Sequence, residues 1–96
     1  MLEREITINN KEGLSSRPAA VFVQAANQFS SQILIKQGNQ MINAKSIMGV
    51  LSLGVARSNA VTLIVKGEDE KEAMDAMVKL IENDLSLIHI WSTPRW

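Results

Sequence analysis

The sequence predicts an α+β fold in which a four-stranded antiparallel sheet is covered on one face by three helices. Short segments of strand character alternate with segments of helical apolar spacing, in the order β-α-β-β-α-β-α. A Gly-Asn pair joins two of the strands as a tight hairpin. The chain of 96 residues is long enough for one small hydrophobic core. An antiparallel sheet with helices on a single face fits this element order.

The first strand and the first helix are separated by a turn-rich loop. Residues 5–9 alternate between polar and apolar side chains, which indicates a strand, and residues 10–13 form the loop. A helix is predicted from Ser16, because Pro18 is tolerated in a first turn. Its apolar residues recur at helical spacing: Ala19, Phe22, Val23, Ala26 and Phe29.

The middle of the chain predicts a hairpin and a short helix. Residues 33–35 and 40–42 are short strands joined through Gly38-Asn39, a pair that suits the positive φ of a tight turn. Ser46 is placed to cap a short helix that runs to Leu53. A loop then follows at residues 57–59.

The last strand and the last helix are the most regular elements of the sequence. Residues 61–65 are the clearest strand. Residues 67–69 open a long helix whose first turn carries acids, which favour the helix dipole. Its apolar stripe consists of Ala73, Met74, Met77, Leu80 and Ile81.

Charge is unevenly distributed along the chain although the formal net charge is zero. Residues 13–66 contain no acid and five bases, whereas seven acids and three bases follow from residue 67 onward. The acid-free half therefore suits a phosphate group or an acidic partner. An acidic solvated helix beside a mildly basic sheet is the simpler interpretation. Five bases spread over that stretch are too few to predict a nucleic-acid-binding surface.

The composition excludes several classes of site. The chain has no cysteine, so it has no disulfide and no thiolate metal site. Residues 1–84 contain no Ser/His/Asp set, no phosphate-binding glycine loop and no metal-ligand cluster, so we expect neither an enzyme nor a cofactor. The charged N-terminus and the absence of a long apolar run predict a cytoplasmic protein that does not enter the membrane.

The sequence divides into a domain of residues 1–84 and a C-terminal tail of residues 85–96. The tail carries both tryptophans, the only histidine and one of the two prolines. It does not continue the apolar stripe of the last helix, which favours non-native or disordered sequence over a natural extension. His89 lies in this tail, away from any helix start, and we do not expect it to accept a phosphoryl group.

Two short segments carry a pattern typical of one protein family. The first is Gly-Leu-Ser-Ser-Arg-Pro-Ala-Ala at residues 13–20, and the second is Asn-Ala-Lys-Ser-Ile-Met-Gly-Val-Leu-Ser-Leu at residues 43–53. At this separation, in a chain this short, they resemble the HPr family of bacterial phosphotransferase-system proteins. The resemblance covers roughly residues 1–84. It implies an HPr-like open-faced β-sandwich with strand order 1-4-2-3.

The resemblance implies two phosphorylation positions. In ordinary members a histidine directly before Ser16 accepts and passes on a phosphoryl group, and here that position is Ser15. A serine hydroxyl needs an activating base and forms a stable ester, so we do not expect relay through Ser15; Ser15 or Ser16 is alternatively a helix N-cap. The regulatory serine of the family is present as Ser46. This combination resembles the Crh branch (catabolite-repression HPr), which regulates but does not carry phosphate to sugars.

Arg17 is the strongest candidate for binding an anion. A guanidinium in the first helical turn lies beside the positive end of the helix dipole, which is unfavourable unless an anion binds there. The alternative is an exposed arginine with no role. The resemblance implies that this arginine contacts the phosphorylated residue and, if the family geometry holds, that it approaches a phosphate on Ser46. Lys45 adds a positive charge beside Ser46.

The short helix after Ser46 carries a candidate docking patch of Ile47, Met48 and Leu51. A short helix this apolar either packs wholly inward or leaves an apolar patch exposed for a partner. Methionine in such a patch favours a contact that adapts to the partner's surface. Ser46 alone would more often be a plain N-cap. The resemblance implies that the patch docks partners.

The resemblance implies a regulatory phosphoprotein of carbon catabolite repression. HPr kinase/phosphorylase would phosphorylate Ser46, and the product would bind catabolite control protein A, a LacI-type regulator, without itself touching DNA. One alternative is an HPr-family phosphocarrier of the sugar phosphotransferase system whose active histidine is lost or miscalled. Another is a carrier-like domain from a larger phosphotransferase protein. The resemblance is compatible with a monomer or a strand-swapped dimer.

Overall fold

The computed structural model describes residues 1–9, 13–14, 16–54 and 59–83, except for the side chain of Ser16. Their elements follow the predicted order, β-α-β-β-α-β-α. The strands are β1 (Leu2–Thr7), β2 (Gln32–Gln37), β3 (Gln40–Asn43) and β4 (Ala60–Lys66). The helices are α1 (Ser16–Ala26), α2 (Ile47–Leu53) and α3 (Glu70–Glu82).

The four strands form one antiparallel sheet in the order β1-β4-β2-β3, which confirms the predicted topology. β4 lies at its centre, pairing with β1 on one side and β2 on the other. Side chains alternate between the two faces of each strand. Val61, Leu63 and Val65 of β4 are buried, whereas their neighbours in the strand are partly or fully exposed. One face of the sheet is therefore covered, as the alternation predicted.

The core fills the space between that face and the helices. Phe22 of α1 and Met77 of α3 are fully buried in one hydrophobic cluster with the sheet residues Ile33 and Ile35. The predicted apolar stripe of α3 is confirmed, because all five of its residues are buried. Burial of this apolar surface is the dominant favourable term in folding.

The structure corrects the predicted bounds of the first strand. β1 begins at Leu2 and ends at Thr7, whereas residues 5–9 were expected. Leu2 pairs with Val65, so the edge strand includes the charged residues that follow Leu2. Because these charged side chains are exposed, the sequence there does not show the alternation of apolar and polar residues that marks a strand. Ile8 has left the strand and is fully buried, and its N–H donates to the carbonyl of Asn59 at 2.9 Å.

The first helix is shorter than its apolar spacing predicted. α1 ends at Ala26, and Phe29 lies beyond it, half-buried against the core. The N–H groups of Gln28 and Phe29 donate to carbonyls three residues back, a tight turn typical of helix ends. The periodicity of apolar residues could not locate the end of this helix, because Phe29 contacts the core although it lies beyond the helix.

The hairpin between β2 and β3 turns at Gly38, as predicted. Gly38 has φ +60°, which few other residues adopt without strain. Gln37 pairs with Gln40 across the turn, so the loop contains two residues. This hairpin sets the register of Ile42 and Asn43, which lead into the start of α2.

Candidate phosphorylation site and docking surface

Ser46 is the N-cap of α2, as the sequence predicted. Its backbone is extended, with φ −108° and ψ 117°, and its Oγ accepts a hydrogen bond from the N–H of Gly49 at 3.1 Å. The carbonyl of Ser46 accepts from the N–H of Val50 at 3.0 Å. The hydroxyl therefore satisfies one of the N–H groups that a helix start leaves unpaired.

The surroundings of Ser46 are suited to a negative charge. The side chain is partly exposed, so a modifying enzyme has access to the hydroxyl. The first turn of α2 carries no acid that would repel a phosphate. Free N–H groups and the helix dipole both favour an anion at such a terminus.

Lys45 lies beside Ser46, but its ammonium group already has a partner. Its Nζ donates to the carbonyl of Phe29 at 2.6 Å in a partly buried contact. This bond connects the segment before α2 to the segment after α1. A role for Lys45 in binding phosphate stays a prediction, since the ammonium would have to leave or share this carbonyl.

Two asparagines that sequence reasoning missed fix the backbone before Ser46. Asn43 Oδ1 accepts from the N–H of Lys45 at 2.9 Å. Asn27 Nδ2 donates to the carbonyls of Val23 at 2.9 Å and Lys45 at 3.3 Å, which connects α1 to the start of α2. The contact of Asn43 with the residue two positions on is a local turn that the sequence could have indicated. The contact of Asn27 spans 18 residues and has no such signal.

Arg17 lies at the start of α1, whereas the residue before Ser46 contacts Asn27, just past the end of that helix. It is the second residue of α1 and is exposed. Ten residues separate it from Asn27, and at 1.5 Å of rise per residue this is about 15 Å of helix. Because Asn27 contacts Lys45, Arg17 and Ser46 lie near opposite ends of α1. The approach of Arg17 to a phosphate on Ser46 stays a prediction.

The apolar residues of α2 divide between the core and the surface. Val50 and Leu53 are buried, whereas Ile47, Met48 and Leu51 are 38%, 76% and 43% exposed. We call these three exposed residues the α2 patch. Of the two alternatives left by the sequence, an exposed patch is therefore correct.

A shallow groove on α1 adjoins the start of α2. It is lined by Val23, Gln24, Asn27 and Gln28, and the same Asn27 contacts the carbonyl of Lys45. The sequence did not indicate this groove, because its polar residues look like an ordinary solvated helix face. Asn27 therefore places this groove beside the backbone that leads into Ser46.

Other predicted features lie outside the described residues. These include Ser15, the loop at residues 57–58 and the tail of residues 85–96 with His89. Within the part of the chain that the structure describes, no group of His, Cys, Asp or Glu side chains is arranged to hold a metal ion. In the same part, every helix is too short or too polar to cross a bilayer.

Comparison with known families gives a match over almost all of the described residues. A sequence model of the family described as "PTS HPr component phosphorylation site" matches residues 2–83. The HPr-like protein Crh of Halalkalibacterium halodurans is 46% identical over 84 residues, which is 88% of this chain and 100% of the relative.

Solved structures of the same family share the fold. HPr from Thermoanaerobacter tengcongensis has a TM-score of 0.86 and 55% identity, covering 88% of this chain and 94% of that one. Crh from Bacillus subtilis, described as an intertwined dimer with a swapped domain, has a TM-score of 0.70 and 42% identity. It covers 88% of this chain and 97% of that chain.

The level of identity does not separate HPr from Crh relatives, since both groups supply similar matches. It does settle the family, because the match spans nearly the whole described domain and the sheet order is the same. The chain therefore belongs to the HPr family, whose members are phosphocarrier proteins and their Crh relatives rather than enzymes.

Proposed function

We propose that this protein is a Crh-like regulatory phosphoprotein of carbon catabolite repression. HPr kinase/phosphorylase phosphorylates Ser46, and the phosphorylated form then binds catabolite control protein A as its corepressor. One observation carries this proposal: Ser46, at the position of the family's regulatory serine, is partly exposed beside an exposed apolar patch.

The serine at position 15 removes the chemistry of phosphate relay. A neutral imidazole is nucleophilic at physiological pH, whereas a serine hydroxyl requires a neighbouring base. The only histidine of the chain is His89, in the C-terminal tail. A protein that retains the regulatory serine without the relay histidine fits a dedicated regulator.

Ser46 and the α2 patch lie close enough for one partner to contact both. Phosphorylation adds up to two negative charges and three acceptor oxygens. Each charge-assisted hydrogen bond to a cationic partner contributes about 1.5–3 kcal/mol. Two such contacts change the affinity by roughly a hundredfold or more, since about 1.4 kcal/mol corresponds to tenfold. The apolar patch supplies contact area that is the same in both forms.

Calorimetric titration against catabolite control protein A tests this proposal. Wild type phosphorylated by the kinase should bind at least roughly a hundredfold more tightly than unphosphorylated wild type. Phosphorylated Met48→Asp should bind more weakly than phosphorylated wild type, because it places a charge in the apolar patch. Equal affinity of the two wild-type forms would contradict the proposed switch.

A second candidate function is an HPr-family phosphocarrier whose active histidine has been lost or miscalled. The 55% identity to HPr of Thermoanaerobacter tengcongensis supports this alternative. A second HPr gene with an intact histidine in the same genome would favour the dedicated regulator instead. Labelling of the natural protein with enzyme I would reveal a miscalled histidine, whereas a lost histidine leaves the protein as unlabelled as the regulator.

The proposal also covers which residues are needed for the function, the cellular location of the protein and its oligomeric state. Residues 1–84 are sufficient for the function, and residues 85–96 contribute nothing to it. We place the protein in the cytoplasm, where it would meet a partner that regulates transcription. It is a monomer or a strand-swapped dimer like Crh of Bacillus subtilis, and light scattering at two protein concentrations distinguishes these forms.

A further inference from the structure

We propose that Met48 is an oxidation site at which peroxide converts the thioether to a sulfoxide and thereby weakens docking through the α2 patch. This adds a redox signal to the phosphorylation signal at Ser46. The effect on the partner rests on the proposed function, whereas the site of oxidation does not.

The five methionines of the chain differ widely in access to solvent. Met48 is 76% exposed, Met1 68% and Met41 53%, whereas Met74 is 7% exposed and Met77 is fully buried. Peroxide therefore reaches the first three and is excluded from the two in α3. Since Met74 and Met77 belong to the core, oxidation confined to the surface leaves the fold intact.

Position distinguishes Met48 from the other two exposed methionines. Met1 precedes β1, where its ammonium group forms an ion pair with Glu70 at 3.1 Å. Met41 pairs with Lys36 across β2 and β3. Its neighbour Ile42 packs against the core, so by strand alternation Met41 faces the uncovered side of the sheet. Met48 is the methionine that lies in the α2 patch.

The reaction requires only hydrogen peroxide. The Sδ lone pair of Met48 attacks one peroxide oxygen, an S–O bond forms and the O–O bond breaks. The sulfur loses two electrons, the peroxide is reduced, and the transferred hydroxyl gives its proton to the departing hydroxide. The products are methionine sulfoxide and water, and sulfoxide reductases reverse the change.

Oxidation changes the patch without removing the helix. Met48 and Leu51 are three residues apart and Ile47 and Leu51 four apart, so all three share one helix face. A polar sulfoxide on this face must be dehydrated when a partner covers it. Val50 and Leu53 remain buried and keep α2 in place. Tight binding therefore requires both a phosphorylated Ser46 and a reduced Met48.

The experiment treats the phosphorylated protein with hydrogen peroxide, removes the oxidant with catalase and maps the sulfoxides by peptide mass spectrometry. We expect oxidation at Met48, Met41 and Met1, with Met74 and Met77 protected. Affinity for catabolite control protein A should fall at least about tenfold, or roughly 1.4 kcal/mol. Treatment with methionine sulfoxide reductases A and B should restore it.

Two matched variants locate the effect. Met48→Leu keeps the patch apolar, so it should bind and should lose its sensitivity to peroxide. Met41→Leu should remain as sensitive as wild type. Unchanged affinity after full oxidation of Met48, or a Met48→Leu protein that is equally sensitive, would overturn the inference.

A readout without the partner keeps this test independent of the proposed function. Retention on a hydrophobic-interaction column should fall when wild type is oxidised and fall less for oxidised Met48→Leu. If unoxidised phosphorylated protein does not bind the regulator, the proposed function fails. Equal loss of retention in both proteins would instead show that Met48 does not determine the apolarity of the patch, and the inference would fail.

Discussion

The Asp69 carboxylate accepts hydrogen bonds from both the hydroxyl and the backbone N–H of Ser31, the latter at 2.9 Å. Its second oxygen accepts from the N–H of Ser30, also at 2.9 Å. These bonds connect the start of α3 to the segment that leads into β2. The hydroxyl of Ser31 is the largest cause that lowers the pKa of Asp69 from 3.8 to about 2.

The low pKa of Asp69 predicts a pH-dependent contribution to stability. The folded protein favours the carboxylate more than the unfolded chain does, so the contribution is complete above about pH 4 and falls as the pH drops towards 2. Carbon-detected NMR should show the Asp69 carboxyl titrating near pH 2. Asp69→Asn should lower the free energy of unfolding at pH 7, and its difference from wild type should shrink through this window.

Asp75→Asn is the matched control for Asp69→Asn. Asp75 lies on the exposed surface of α3, where it pairs with Lys79 at 3.1 Å. Exposed pairs of this kind contribute little, so urea unfolding at pH 7 should show a smaller effect than for Asp69→Asn. Equal losses in the two variants would contradict a specific role for the Asp69 contacts.

Gly67 approaches Ser31 so closely that no side chain fits there. Its φ is +152°, and a Cβ at this position would lie 2.7 Å from the Cα of Ser31, a backbone atom that cannot turn aside. Gly38 also has positive φ, but a Cβ there meets nothing within 4 Å. Gly38→Ala should therefore lose about 1–2 kcal/mol from its backbone conformation alone. Gly67→Ala should lose more in urea unfolding, and equal losses would exclude the steric contact.

Most of the fold could be predicted because its signals are local. The alternation of buried and exposed side chains in β4 and the apolar stripe of α3 arise because each element turns one face towards the core. The end of α1 and the start of β1 were missed for physical reasons. Phe29 contacts the core from outside the helix, and the charged residues of the edge strand obscure its pattern. The Asp69 contacts with Ser30 and Ser31 span 38 or 39 residues, so no local pattern indicates them.

The candidate site was predictable in part for similar reasons. The N-cap role of Ser46 follows from its position before an apolar helix, and the structure confirms it. Exposure of the α2 patch depends on which helix face packs inward, and a helix of seven residues is too short to show this by periodicity. The partner of Lys45 is a carbonyl at Phe29, and a backbone acceptor has no sequence signature.

Phosphate relay should be absent from the unmodified chain. Incubation with enzyme I and labelled phosphoenolpyruvate should leave the protein unlabelled, because Ser15 replaces the acceptor histidine. Ser15→His should restore labelling, since Arg17 and the rest of the acceptor motif are present. Acid-labile phosphate on the wild-type chain would support the phosphocarrier alternative and contradict the regulator.

Truncation after Asp84 should leave the domain stable. The residues that form the described core end at Ile81, before the tail begins. The thermal midpoint should shift by less than about 4 °C, which corresponds to under roughly 1 kcal/mol for a domain of this size. Calorimetric scans of both chains measure this. A larger loss would show that the tail packs on the domain, and the proposed dispensability of residues 85–96 would be wrong.

Ser46→Asn should separate the structural role of Ser46 from its role as a phosphate acceptor. Ser46→Ala removes the hydrogen bond to Gly49 and should lower the free energy of unfolding by about 1 kcal/mol, so lost binding in that variant has two explanations. Asparagine caps helices about as well as serine but offers no hydroxyl to the kinase. Ser46→Asn should therefore match wild type in urea unfolding and in the affinity of the unmodified protein for catabolite control protein A. It should show no gain in affinity after incubation with HPr kinase/phosphorylase and ATP. A kinase-dependent gain in this variant would place the regulatory phosphate on another residue.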